Sequence, residues 1–222
     1  MRRLLSIAAV ATAIGCSADT SITPIVPVSH DPILFVHGYA RNSDDWSTMI
    51  AQFKAAGWKD SELYTINYGV LQSNISIADE IKLKVDNILG STAATRVDII
   101  AHSMGSLSTR YYLKNLGGDA RVDAWVSLAG PNHGTTTAND CGFTPCIELR
   151  PSSAFITALN AGDETPGAVR YATWWSPADQ AILPNTSAVL TGATNTQTAA
   201  IAHHSLLTDV TTYSQVRAFI AP

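Results

Sequence analysis

The residue in this 222-residue chain whose setting best suits covalent chemistry is the serine of Ala101-His102-Ser103-Met104-Gly105. An apolar run from Val97 leads into it, and a helical pattern follows from Met104. A strand turning straight into a helix around a serine, with small side chains two residues to either side, is the setting of a nucleophile elbow. The tight turn strains the serine backbone and leaves Oγ exposed at the positive end of the helix. Ala101 stands where such turns usually carry glycine, and a methyl group still fits there. The chemistry this implies is nucleophilic acyl transfer. A serine hydroxyl is a weak nucleophile at neutral pH, so it needs a base within hydrogen-bond reach and a third group to orient that base.

On such an elbow the chain order is serine, acid, histidine. Three histidines follow Ser103, namely His133, His203 and His204. His133, in Gly130-Pro131-Asn132-His133-Gly134, comes too early to follow an acid on a later strand, and reads as a rim or loop-structuring residue. His203 is the expected base with His204 as the alternative, since both precede the last helix. Asp179 follows the Trp174-Trp175-Ser176-Pro177 turn and is the expected acid. Its competitor Asp163 sits in what reads as a solvated turn, and Asp209 comes after the histidines. Attack on a carbonyl creates an oxyanion that needs two preset N–H donors. The Met104 amide supplies one, and the Tyr39 amide, after the strand end Phe35-Val36-His37-Gly38, supplies the other. His37 itself reads as a structural hydrogen-bonding residue. No histidines and carboxylates cluster at metal-ligand spacing, so the chemistry calls for neither metal nor cofactor.

The elements that must position these groups alternate. Strands are expected at Ile33–Val36, Leu63–Asn67, Val97–Ala101 and Ala124–Leu128, separated by helices at Trp46–Ala56, Ile77–Leu89 and Met104–Leu116. Such alternation gives an α/β fold with a mostly parallel central sheet and helices on both faces. Ser76 is the expected N-cap of the second helix and Gly90 its stop, with Gly117-Gly118 closing the third. Beyond Gly130 the pattern loosens into a loop from Pro131 to Pro151. A short helix near Ser153–Leu159, strands at Arg170–Thr173 and Ala188–Leu190, and a final helix at Tyr213–Ile220 complete the reading.

Net charge is −4, and no basic block exists beyond Arg2-Arg3, which excludes a phosphate-tracking surface and nucleic acid as a partner. At 46% hydrophobic and 14% charged residues the chain suits one globular domain. Residues 1–18 read as an export signal: Arg2 and Arg3 precede the short apolar stretch Leu4 to Ile14. Cleavage after Ala18 and lipoprotein-type processing at Cys16, which would leave a lipid anchor, both fit. Residues 19–31, with Pro24 and Pro27, read as a tether or extended lead-in, and residues 32–222 as the catalytic domain. Cys141 and Cys146 are expected to form one small loop disulfide in an oxidising destination.

Together these residues resemble the small bacterial class 2 triacylglycerol lipases. The resemblance runs through Phe35-Val36-His37-Gly38-Tyr39, Val97 to Gly105, Tyr111 to Gly118 and His203-His204-Ser205-Leu206-Leu207, and covers most of the chain from Pro32. It implies an α/β-hydrolase fold without a large lid domain and a serine hydrolase acting on acylglycerol esters. Ser103 would be nucleophile, Asp179 acid and His203 base, with the Tyr39 and Met104 amides as the oxyanion hole. A monomer in contact with a lipid–water interface is the expected form. The loop between Gly130 and Asp163 is longer than in the smallest members and would cover the site or narrow its acyl pocket. Trp174, Trp175, Leu206 and Leu207 would suit acyl chains, although such residues are more often core. A short-ester carboxylesterase, an aliphatic polyester depolymerase and an inactive binding protein on the same fold are the rival readings.

Overall fold

The computed structural model describes residues 25–221, so the export signal, Cys16 and the first half of the lead-in lie outside the described residues. Six strands form one sheet: β1 (Ile33–Val36), β2 (Leu63–Ile66), β3 (Val97–His102), β4 (Val122–Leu128), β5 (Arg170–Trp175) and β6 (Thr194–Gln197). Their order is β2-β1-β3-β4-β5-β6, and every neighbouring pair is parallel. The helices are α1 (Ser47–Ala55), α2 (Asn74–Ser91), α3 (Gly105–Asn115), α4 (Thr144–Leu149), α5 (Ala154–Asn160) and α6 (Val210–Ile220). This is an α/β-hydrolase fold.

Period-two alternation along the strands divides the interior into two cores. Leu34, Val36, Ile99, Ala101 and Trp125 point to one face, where Ile77, Ile81, Val85 and Ile88 of α2 and Leu107 and Leu113 of α3 cover them. Ile33, Phe35, Ile100, Ala124 and Val126 point to the other, against Met49 and Phe53 of α1 and Tyr213, Val216 and Ile220 of α6. Burial on both faces explains why β1 and β3 read as nearly continuous apolar runs. Each such aliphatic side chain contributes about 1.5–3 kcal/mol relative to exposure.

Several expected boundaries move. The N-cap of α2 is Ser73, one turn before Ser76, and its hydroxyl accepts from the Ser76 amide at 3.1 Å. Gly90 lies inside α2, which continues to Ser91 and ends where the Thr92 hydroxyl and amide return to the Ile88 carbonyl. The strand expected at Ala188–Leu190 is not one: residues 185–188 form a 3₁₀ turn, and the sixth strand is the polar Thr-Asn-Thr-Gln run of β6. Ala188 and Leu190 are apolar because they are buried, not because they pair. A solvated edge strand has no hydrophobic alternation to betray it. The supposed loop after Pro131 contains a 3₁₀ turn at Thr136–Asp140 and the helix α4, whose six residues are too few to show a period.

Residues 25–31 lie extended along the domain. The Val26 amide and carbonyl bond to Ser91 and Ala93, just before β3 begins. His30 stacks on Trp58 at 4.0 Å, and the buried Glu62 carboxylate accepts from the Ser29, His30 and Lys59 amides.

Candidate active site

β3 ends at His102, α3 begins at Gly105, and Ser103 between them has φ +53°. A non-glycine residue in the left-handed region costs on the order of 1–2 kcal/mol and persists only where its surroundings enforce it. The enforcement is backbone. The Ser103 amide donates to the Leu128 carbonyl at the end of β4 (2.9 Å), and its carbonyl accepts from Ser106 (3.0 Å). Glycine is required after the turn and in the loop that packs on it: a Cβ on Gly105 would lie 2.8 Å from the Val36 carbonyl oxygen, and one on Gly38 2.9 Å from the Ser103 Cβ. The loop after β1 carries a second left-handed non-glycine residue, Ala40, at φ +54°. Neither the Tyr39 nor the Met104 amide has a hydrogen-bond partner among the described residues, so both remain available to a ligand oxygen.

Asp179 and His203 come from the loops after β5 and β6 and meet at 2.7 Å, Oδ2 to Nδ1. Asp179 is 5% exposed, and its Oδ1 accepts from the Ala181 and Ile182 amides at 2.8 and 3.1 Å. An ionised carboxylate only accepts, so the His203 Nδ1 carries the proton and Nε2 keeps its lone pair. Ser103 and His203 line one cavity of about 280 Å³ at the carboxyl end of the sheet, with no hydrogen bond between them. Tyr39, Arg41, Ala138, Leu149 and the bonded pair Cys141–Cys146 also line it.

The other candidates have different occupations. His133 bonds to Glu164 (2.9 Å) and to the Ser187 carbonyl, and shapes its loop. Asp163 is exposed and closes a turn on the Thr165 amide, whereas Asp209 caps α6 through the Thr212 amide. His204 lines the cavity without reaching Asp179; burial and the neighbouring His203 lower its pKa. His37 bonds through Nδ1 to the Gly38 carbonyl and stacks on Tyr68 at 3.9 Å; burial lowers its pKa too. Trp174, Leu206 and Leu207 pack in the core against α6 and line no part of the cavity.

Two further residues bond to the backbone of these loops. His102 is wholly buried beneath both later histidines, 4.6 Å from the His203 ring, and its Nε2 lies 3.3 Å from the His203 carbonyl. Burial, followed by the neighbouring His203 and His204, holds its pKa well below the ordinary value and keeps it a neutral donor. Ser176 is also wholly buried. Its hydroxyl accepts from the Ala178 and Ile201 amides at 3.1 and 3.0 Å and donates to the Ile201 carbonyl, tying the loop of Asp179 to that of His203. The Ser-Pro pair at the end of β5 was the available signal, because serines at such turns commonly bond nearby backbone.

The carboxylates of Asp31, Asp98 and Asp123 form a cluster with ligand atoms within 4.8 Å, the one such group among the described residues. It lies at the amino end of the sheet, remote from Ser103, and Asp123 is paired with Arg170 (2.6 Å) and Arg96 (3.4 Å).

The sequence profile described as Lipase (class 2) matches residues 30–218. The chain belongs to the class 2 lipases. This lipase is therefore a carboxylic ester hydrolase whose substrates are esters or lipids. Its fold is similar to that of the mature lipase from Bacillus licheniformis, at TM-score 0.74 and 18% identity over 87% of this chain and 96% of that one. It is also similar to lipase B from Aspergillus fumigatus, at 0.70 and 16% over 84% and 51%, and to a protein from Listeria innocua, at 0.67 and 12% over 86% and 94%. Among the described residues of this lipase no helix is long and apolar enough to cross a membrane.

Proposed function

We propose that this lipase is a serine hydrolase that cleaves acylglycerol esters through a covalent acyl-enzyme. The observation carrying the reading is the 2.7 Å Asp179–His203 pair opening into the cavity of the left-handed Ser103. His203 Nε2 takes the Ser103 proton as Oγ attacks the ester carbonyl, and the Tyr39 and Met104 amides hold the oxyanion. The tetrahedral intermediate expels the alcohol, protonated by His203. Water then attacks the acyl-Ser103 ester with His203 again as base, releasing the fatty acid and restoring the hydroxyl. Asp179 fixes the tautomer and stabilises the imidazolium formed in each half. These steps use this chain's residues alone. The unpartnered state of both amides supports the oxyanion assignment.

We further read residues 1–18 as an export leader, residues 19–31 as the lead-in and residues 32–222 as one catalytic domain. The Cys141–Cys146 bond supports an oxidising destination. The deciding experiment is labelling with an organophosphonate ester, followed by peptide mapping. Modification at Ser103, with loss of all ester hydrolysis, is the expected result. A label elsewhere, or hydrolysis surviving in Ser103→Ala, overturns the mechanism.

A further inference from the structure

The loop that carries His203 has little backbone holding it to the sheet. Beyond Thr198, whose amide bonds to the Trp175 carbonyl, its backbone makes backbone hydrogen bonds only within itself as far as α6. Side chains tie it down instead. Ser176 binds it at Ile201, Asp179 accepts from the His203 ring, and the wholly buried His102 lies with Nε2 3.3 Å from the His203 carbonyl. Resting on the reading of His203 as the base, we propose that His102 is a positioning residue of the reaction. It holds the His203 backbone with one edge of its ring and bears on the Gly38 turn with the other, which sets the base and the Tyr39 amide relative to Ser103.

Packing alone does not account for an imidazole at this place. The ring is buried with one partner, its Nδ1 having none, so it fills the space at greater cost than a phenyl ring of similar size. What the imidazole adds is a single donor at a single point. The His203 carbonyl can only accept, so Nε2 carries the proton, and burial, with His203 and His204 nearby, keeps the ring neutral. The bond therefore reaches the base without setting a second positive charge 4.6 Å from the imidazolium that forms there.

Two attachments confine a side chain that one would leave free to swing. Asp179 holds the His203 Nδ1 at 2.7 Å and His102 holds the backbone of the same residue, so the two torsions between them are restricted. His102 is in turn held by the sheet, paired with Leu128 of β4, and the residue after it is the nucleophile. The separation of Ser103 Oγ and His203 Nε2 is thus set through the one residue before Ser103. At the other edge of the ring, a Cβ on Gly38 would lie 3.3 Å from His102 Nδ1, so the loop carrying the Tyr39 amide rests on the same side chain.

The test measures kcat and KM on 4-nitrophenyl butyrate for His102→Phe, which keeps a ring and removes the donor, and for His102→Gln, whose amide can reach the same carbonyl. His102→Phe is expected to lower kcat about 30- to 100-fold with KM changed by less than about threefold, and His102→Gln to recover all but about fivefold. The rate of Ser103 phosphonylation falls in step, because it draws on the same base with no bound ester. The downfield proton resonance of the His203 Nδ1–H bond to Asp179 moves upfield in His102→Phe and returns in His102→Gln. A folded His102→Phe with kcat within about threefold of wild type overturns the proposal, as do equal losses in the two variants. If His102→Phe does not fold, His102→Asn takes its place: its amide stops short of the carbonyl, and a kcat equal to that of His102→Gln overturns the proposal. Nitrogen NMR of the wild type showing His102 protonated on Nδ1 instead of Nε2 overturns it without any variant. Failure of Ser103 labelling refutes the acyl-enzyme reading, whereas an unimpaired His102→Phe that is labelled at Ser103 refutes only the role of His102.

Discussion

Ser103 and Leu149 line one cavity but are held there by different means. Around Ser103 the restraints are backbone: its amide on the Leu128 carbonyl, a helix starting two residues later, and the Val36 and His37 carbonyls beside Gly105. Around Leu149 they are side chains, with Arg150, Glu148 and a disulfide gathering an otherwise irregular segment. Ser103 is therefore fixed by the sheet, which cannot change without refolding. Leu149 is fixed by individual side chains, which can be exchanged one at a time.

That contrast can be broken by substitution. The largest effect is expected for Ser103→Ala, with kcat falling about 10⁴–10⁶-fold while the thermal midpoint stays within a few degrees. Asp179→Asn should lower kcat about 10⁴-fold, because an amide at this position can present a donor to the His203 Nδ1 and impose the wrong tautomer. Gly105→Ala would drive a methyl into the Val36 and His37 carbonyls, with an expected cost of about 1–3 kcal/mol by urea unfolding together with a large loss of activity. An active, fully stable Gly105→Ala would show that the elbow is not a backbone-determined part. Glu148→Ala, on α4, should cost about 1.5–3 kcal/mol of stability, with a much smaller loss of activity on a butyrate ester than Gly105→Ala shows.

The smallest effect sharpens the comparison at a third place, where a carboxylate holds residues 25–31. Burial alone would raise the Glu62 pKa, but the Lys59 and Ser29 amides and His30 outweigh it and hold it at about 2. A depressed carboxylate stabilises the fold above its unfolded value of 4.5, and this contribution is lost as pH falls toward 2. The thermal midpoint should drop through that window in the wild type and drop less steeply in Glu62→Gln.

Legibility in the sequence follows the same line. Strands β1, β3 and β4 and the elbow could be read because burial on both faces leaves nearly continuous apolar runs. Asp179 and His203 could be placed by chain order, and the geometry joins them. The choice between His203 and His204 could not be read from neighbours in sequence, since a carboxylate 24 residues away distinguishes them. β6 was missed because its side chains face solvent, and α4 because its stability comes from a covalent clasp and distant partners instead of its own periodicity. Ser176 and His102 were missed because their work is done on other loops' backbone.

The pairing of Val26 beside Ser91 and Ala93 has a practical consequence. Those residues lie at the amino end of the parallel strands, while every loop that forms the catalytic mouth leaves from the carboxyl end. Val26 itself therefore lies on the side of the domain away from the mouth. A support attached directly at residue 25 would leave the working face turned outward to the ester.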